Sequence, residues 1–152
     1  MENALVVVED TIDSKELVRE AASFAAAEEA TLYLFVMVSK DELERTVSTL
    51  ERIGEVENTS YGPDTALGGA TAFLEEVANE ALNDSDVEYE RVCSVVDDTD
   101  RSTAAIQAAN ENDCDHVFTT GSKRSPTGKA LFGDFVQSLI LSFDGRVTVD
   151  LQ

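Results

Sequence analysis

The sequence contains few of the residues that build metal and redox sites. It has one histidine, His116, and two cysteines, Cys93 and Cys114, which do not form a Cys-x-x-Cys pair. Both cysteines lie in or beside apolar runs, so buried free thiols are expected rather than a disulfide or a zinc site. His116 follows an aspartate at the start of a strand, and the chain has no Gly-x-Ser-x-Gly motif. A zinc enzyme and a serine hydrolase are therefore not predicted.

Long apolar runs are also missing. No segment approaches the roughly 18 apolar residues that cross a membrane, and the opening Met-Glu-Asn lacks the basic region of an export signal. We therefore expect a cytoplasmic protein without a membrane partner. Hydrophobic residues make up 43% of the 152-residue chain, which is enough for one domain over residues 1–152 with a substantial core.

Positive charge is scarce. The chain has 11 Lys and Arg against 31 Asp and Glu, a formal net charge of -20 at pH 7. Such a surface repels nucleic acids and anionic membranes. Because the acids are spread along the whole chain, adaptation to high salt is favoured over an acidic partner-binding face. Molar salt shortens the Debye length to roughly 3 Å and screens the self-repulsion.

Apolar runs alternate with helical patterns along the chain. Residues 4–8 and 31–38 are continuous apolar runs, typical of strands buried on both faces of a parallel sheet. The patterns predict further strands over 87–96 (an edge strand), 115–120 and 146–151. They predict helices over 14–29, 39–53, 70–82, 101–111 and from 133 to about 143. A surface loop is predicted over 54–69. This order predicts an α/β fold with a doubly wound, five-stranded parallel sheet. Helical spacing places Phe24 and Ile140 on buried faces.

A cationic loop rich in glycine joins the fourth strand to the last helix. Gly121 would let the chain turn sharply and bring backbone N–H groups to a ligand, while Lys123, Arg124 and Lys129 would offset phosphate charge. Ligands of doubly wound sheets bind beyond the carboxyl ends of strands, at the switch point between the first and fourth strands. This position puts Glu9-Asp10 beside Gly121-Ser122 and predicts a phosphate site.

The loop departs from the known phosphate-binding motifs. Gly128-Lys129 is followed by Ala130 instead of Ser or Thr, which excludes a P-loop. Asp134 lies three residues before Gln137 and is expected to cap the last helix. Its carboxylate would then satisfy the N–H groups that a phosphate uses and would repel the phosphate. Gly133 has an alternative explanation, since it could serve only close packing.

The chain resembles the universal stress protein family over nearly its full length. The resemblance rests on the opening strand, Gly121-Ser122 after the fourth strand, Gly133 at the last helix and the terminal apolar strand. The resemblance implies an adenine-nucleotide alpha-hydrolase-like sheet in the order 3-2-1-4-5. It also implies a homodimer that pairs through the last strand, where Val147, Val149 and Leu151 alternate with polar residues. An uncovered edge there would expose backbone pairing groups.

ATP-binding members of that family carry Gly-x-x-Gly, a spacer of about nine residues, and Gly-Ser or Gly-Thr. Here Arg124 replaces the second glycine, the spacer 125–132 has eight residues, and Asp134 replaces the hydroxyl residue. The resemblance places Glu9 or Asp10 against the nucleoside and the backbone of 36–38 against adenine. The candidate nucleotide-binding residues are Glu9, Asp10, Val36, Met37, Gly121, Ser122, Lys123, Arg124, Gly128, Lys129, Gly133 and Asp134.

Three functions are open at this point. The first is a regulatory module of the stress response with a degenerate loop that binds ATP or AMP weakly, with Mg²⁺ between Asp10, Asp98 and Asp134. The second is a homodimeric interaction module that has lost nucleotide and contacts an unidentified protein partner. The third is an enzyme, such as a slow nucleotide hydrolase or an adenylyl-transfer relative, although the sequence offers no nucleophile–base pair.

Overall fold

The computed structural model of the chain describes the backbone of residues 1–57, 63–122 and 133–151, and their side chains except those of 55–57 and 63–66. Five strands and five helices are present in these ranges. The strands are β1 (Asn3–Val7), β2 (Thr31–Ser39), β3 (Glu88–Val96), β4 (His116–Gly121) and β5 (Arg146–Leu151). The helices are α1 (Ile12–Ala27), α2 (Lys40–Glu57), α3 (Pro63–Ala81), α4 (Arg101–Glu111) and α5 (Asp134–Ser142).

The five strands form one parallel sheet in the order β3-β2-β1-β4-β5, which confirms the predicted fold class. β1 lies at the centre, and residues 4–8 are at most 2% exposed because both faces of the sheet are covered. The neighbours of β1 are β2 on one side and β4 on the other, so the strand order reverses between β1 and β4. β3 is an edge strand, as its alternating pattern predicts.

Helices cover the sheet on both faces. In the α1/α3 layer, α1 and α3 pack on one face against buried side chains such as Val6, Leu34 and Phe118. In the α4/α5 layer, α4 and α5 lie on the opposite face with Leu5, Phe35 and their neighbours. Successive residues of β1 alternate between these two clusters because strand side chains point to opposite faces in turn.

The segment after β2 is more helical than predicted. α2 continues to Glu57 and α3 begins at Pro63, so the loop predicted over 54–69 is wrong wherever the structure describes it. Proline is common in turns, which favours a loop at Pro63, but it is equally suited to the first turn of a helix, where its missing N–H has no helical partner. Residues 58–62 lie outside the described part of the chain.

Two side chains predicted to be buried are exposed. Phe24 lies at the margin of the α1 stripe formed by Leu17, Ala21 and Ala25, and its ring centroid is 5.9 Å from that of Phe118. Ile140 is likewise at the margin of α5, next to the buried Leu139. Within the described residues, no helix combines the length and the apolar character needed to cross a membrane.

Candidate functional site

A cavity of about 530 Å³ lies at the carboxyl ends of β1 and β4, where the strand order reverses. Its walls come from the turn after β1, the first turns of α1, α4 and α5, and the end of β4. The lining residues are Glu9, Thr11, Asp13, Arg101, Thr120, Gly121, Ser122, Gly133, Phe135 and Val136. The structure therefore brings Glu9, Gly121, Ser122 and Gly133 of the predicted set to one cavity.

The turn after β1 fixes the backbone of Glu9. Thr11 is the N-cap of α1, and its hydroxyl accepts a hydrogen bond from the Ser14 N–H at 3.0 Å. The buried Ser14 hydroxyl oxygen accepts the Glu9 N–H at 2.8 Å, and the Thr11 N–H donates to the Glu9 carbonyl at 2.9 Å. Both backbone polar groups of Glu9 are thus held, while its carboxylate stays at the cavity wall.

Gly121 is required by packing. A Cβ at this position would lie 2.9 Å from Val149 Cγ1, closer than real Cβ atoms approach, and at a contact distance of 3.5 Å from Val136 Cγ2. No described glycine has a positive φ, so Gly121 is not needed for a left-handed backbone conformation; the turn expected after it lies outside the described residues. At Gly133 an added Cβ would meet no heavy atom within 4 Å, so close packing with described residues does not explain that glycine.

The start of α5 differs from the prediction. Gly133 is the N-cap, with φ -68° and ψ 167°, and Asp134 is already the first helical residue. The prediction that Asp134 caps the helix is therefore wrong, because the extended backbone ends one residue earlier. Gly133 has no side chain that could cap the helix, so the first amides of α5 and the positive end of its dipole lie at the cavity rim. Asp134 is exposed and does not line the cavity.

Arg101 is the site residue that sequence reasoning missed. It is the first residue of α4, and its Nη2 lies 3.9 Å from Glu9 Oε1. Its guanidinium carbon is 5.7 Å from the ring centroid of Phe135. Among the described residues that line the cavity, Arg101 carries the only full positive charge. The available signal was its position four residues beyond the loop start at Asp97, in the segment after β3, at the carboxyl edge of the sheet where the other strands also end.

The other predicted residues lie elsewhere or outside the described ranges. Asp10 is exposed and does not line the cavity. Val36 and Met37 lie in β2, where Val36 packs against the α1/α3 cluster and Met37 against the α4/α5 cluster. Their predicted contact with adenine has no counterpart in the cavity lining. The remaining predicted residues, Lys123, Arg124, Gly128 and Lys129, lie outside the described part of the chain.

A magnesium site is not found in the part of the chain that the structure describes. No three His, Cys, Asp or Glu side chains there are grouped so that they could hold a metal ion. Asp10, Asp98 and Asp134 are all in the described ranges, so the structure does not gather them into the predicted site. Their carboxylates belong to separate turns of an acidic surface.

The cysteines and the histidine lie outside the cavity. Cys93 and Cys114 are free, as expected, although only Cys114 is fully buried. Burial raises the pKa of the Cys114 thiol to about 12, so it is protonated and unreactive near neutral pH. His116 Nε2 lies 2.7 Å from Thr148 Oγ1, and burial lowers the pKa of its imidazole. These contacts join β4 to β5 and indicate a structural role.

The comparisons with known proteins agree with this fold. A sequence model of the universal stress protein family matches residues 1–149. UspA from Lactobacillus plantarum is 14% identical, with a TM-score of 0.68, and the match covers 98% of this chain and 97% of that one. No curated protein sequence gives a significant match.

Two further solved structures of universal stress proteins contain nucleotides. The protein from Archaeoglobus fulgidus, solved in complex with dAMP, is 16% identical with a TM-score of 0.64 over 98% of this chain and 97% of that one. A universal stress protein in complex with cAMP is 18% identical with a TM-score of 0.62 over 97% and 95%. At these identities the structures show the fold, and the family match over nearly the whole length shows that this chain belongs to the universal stress protein family.

Proposed function

We propose that this protein is a regulatory module that binds an adenine nucleotide weakly at the switch-point cavity and does not catalyse an efficient reaction. The cavity itself is the observation that carries the proposal. Its volume of about 530 Å³ lies within the usual range of small-molecule sites. It is bounded by Glu9 on one side and by the amino end of α5 on the other. Relatives solved with dAMP and cAMP support the same class of ligand.

The charges of the cavity wall argue for weak binding of polyphosphates. Glu9 and Asp13 are carboxylates, and Arg101 is their one described counter-charge in the lining. Two like charges about 4 Å apart repel by roughly 4 kcal/mol at an effective dielectric of about 20, before solvent screening. ATP would bring several negative charges to this wall, whereas AMP brings at most two. We therefore expect AMP to bind more tightly than ATP.

Magnesium enters this proposal only with the nucleotide. Mg²⁺ bound to the phosphates of ATP would reduce the charge of the ligand before it meets the wall. The described carboxylates do not form a site that could hold the ion by themselves. The expected consequence is that Mg²⁺ increases the affinity for ATP more than the affinity for AMP.

Calorimetric titration in molar KCl tests the proposal. AMP, ATP and ATP with Mg²⁺ are titrated into the wild type and into Asp134→Ser. Removal of the carboxylate from the first turn of α5 should increase the affinity for ATP, because repulsion of the phosphates decreases. Asp144→Ser, an exposed change just beyond the other end of α5, is the matched control and should have no effect. A wild type that binds no adenine nucleotide at millimolar concentration would contradict the proposal and favour the interaction module.

We also propose a homodimer that forms through β5. In the described structure β5 is the edge strand beside β4, and the side chain of Leu151 is exposed there. An uncovered edge strand offers unpaired N–H and C=O groups to another chain. Val149 packs against Gly121 inside the subunit, so a charged substitution there would disturb the fold and not only an interface.

Two measurements test the dimer. Light scattering in molar KCl gives the oligomeric state directly, and a monomer at all concentrations would refute the proposal. Amide hydrogen exchange locates the interface, because the alternate amides of β5 that point away from β4 should be protected in a dimer. β3 is the internal control, since it is the other edge strand and its outward amides should exchange rapidly.

A further inference from the structure

We propose that Arg101 binds a phosphate group of the nucleotide and thereby favours nucleotides over neutral nucleosides. This inference rests on the proposed function, because it assigns a role within the same cavity. The observation that carries it is the position of one guanidinium between the ends of three elements of the fold.

Arg101 is held at this position from two sides. It begins α4, opposite the turn after β1 that carries Glu9 and the start of α5 that carries Phe135. The aromatic ring attracts the guanidinium through its quadrupole and restricts its conformations. A side chain that is already restrained loses less conformational freedom when it binds a ligand.

The guanidinium can accept a new partner. Its approach to Glu9 at 3.9 Å exceeds a hydrogen-bond distance, and the two side chains are 41% and 50% exposed. A solvent-exposed ion pair of this kind contributes little stability. A guanidinium has five N–H donors in a planar fork, and a phosphate accepts two of them side by side. A phosphate can therefore replace Glu9 as the partner of Arg101 without breaking a strong interaction.

Arg101 distinguishes an anionic ligand from a neutral one. The described lining offers a single guanidinium and two carboxylates, those of Glu9 and Asp13. Adenosine would make no use of Arg101, because it carries no anionic group. The affinity ratio of AMP to adenosine therefore isolates the contribution of Arg101 from that of the rest of the cavity.

The test compares AMP and adenosine in the wild type and in Arg101→Gln by calorimetric titration in molar KCl. The affinity for AMP should fall at least tenfold, equivalent to about 1.4 kcal/mol, while the affinity for adenosine changes less than twofold. Arg91→Gln is the matched control: Arg91 is 43% exposed and pairs with Glu75 at 3.1 Å, away from the cavity. It should leave both affinities unchanged. Thermal unfolding in the same buffer establishes that each variant is folded.

The outcomes separate this inference from the proposed function. If the wild type binds neither ligand, the proposed function fails. If the wild type binds AMP and Arg101→Gln binds it within twofold, the assignment of Arg101 is overturned while the proposed function stands. Equal losses for AMP and adenosine would also overturn it, because Arg101 would then only maintain the shape of the cavity.

Glu9→Gln supplies an independent check. It removes the carboxylate that competes with phosphate for Arg101, so the AMP-to-adenosine ratio should rise even if both affinities change. Arg101→Lys keeps the charge but loses the planar fork. Its AMP-to-adenosine affinity ratio should therefore be intermediate between those of the wild type and Arg101→Gln. A fall of the ratio in Glu9→Gln would contradict the proposed competition.

Discussion

The two helical layers differ sharply in charge. α1 and α3 together carry seven Asp and Glu and two Lys and Arg, whereas α4 and α5 carry two acids and one arginine. The acidic residues of these four helices are therefore not distributed evenly between the two faces of the sheet. The two layers do not differ in exposed apolar side chains, since α1 exposes Ile12 at 78% and α5 exposes Leu141 at 77%. The α1/α3 layer carries most of the acidic residues of these four helices, while the nearly neutral α4/α5 layer supplies Arg101 and Phe135 to the cavity.

The layers also differ in the size of their cores. The cluster under α1 and α3 contains 18 of the described buried residues, and the cluster under α4 and α5 contains 10. The site lies at the ends of β1 and β4, the strands whose successive side chains alternate between the two clusters.

The largest expected effect is that of salt. The thermal midpoint should rise by roughly 10 °C or more between dilute buffer and multimolar KCl, equivalent to several kcal/mol at about 3 °C per kcal/mol for a chain of this size. The physical reason is screening of the repulsion among the acidic side chains. Calorimetric midpoints over a salt series measure the effect.

Removing acids from one layer sharpens this prediction. Replacement of Glu16, Glu20 and Glu76 by Gln in the α1/α3 layer should make the midpoint less dependent on salt. Glu111→Gln in α4 is the control and should change the dependence much less. A midpoint that stays flat or falls with salt would argue against salt adaptation. An unchanged slope in the triple variant would show that the repulsion is not concentrated in this layer.

A matched pair of leucines separates packing from binding. Leu34→Ala in the α1/α3 cluster and Leu139→Ala in the α4/α5 cluster both truncate fully buried side chains. Each should lower the free energy of unfolding by about 2–5 kcal/mol, measured by urea titration in molar KCl. Leu139→Ala should also weaken AMP binding, because α5 carries Phe135 and Val136 of the cavity wall. If both variants weakened AMP equally, the division between the layers would not hold.

A smaller effect is expected at the turn after β1. Ser14→Ala leaves the Glu9 N–H without its acceptor and should lower the free energy of unfolding by about 1–3 kcal/mol. Ser23→Ala is the control in the same helix, because that hydroxyl is exposed and donates only to the Arg19 carbonyl. Equal stabilities for the two variants would contradict a specific role of Ser14.

The smallest expected effect concerns His116 in the sheet between the layers. Burial lowers its pKa in the folded state below the ordinary value of 6.5, so the unfolded chain binds the proton more readily. The stability contributed by the neutral imidazole is complete above pH 6.5 and decreases as the pH falls below it toward the folded-state pKa. Urea titrations of the wild type and His116→Gln from pH 7.5 to 5 measure the difference. A constant difference over this range would contradict the shift.

The sequence predicted the sheet because β1, β2 and β4 contain apolar runs and β3 and β5 alternate polar with apolar residues, and both patterns have the ordinary length of strands. It failed at Pro63, where the residues of a turn and the first turn of a helix look alike. Glu9 and Gly121 could be placed together because parallel strands end at one edge of the sheet. The contacts of Arg101 with Glu9 and Phe135 could not be predicted, because they depend on how the turn after β1, α4 and α5 pack together. The cap at Gly133 was missed since Asp134 and Gln137 imitate a capping pair one residue later.

The two glycines of the cavity wall leave very different freedom for change. Gly121 has no room for even a methyl group beside Val149, so variation there is penalised whatever ligand is present. No described residue lies within 4 Å of a Cβ added at Gly133, which occupies an N-cap position where serine or asparagine would strengthen α5 by a few tenths of a kcal/mol. Substitutions that alter this cavity are therefore tolerated better at Gly133, on the helix side, than at Gly121, on the strand side.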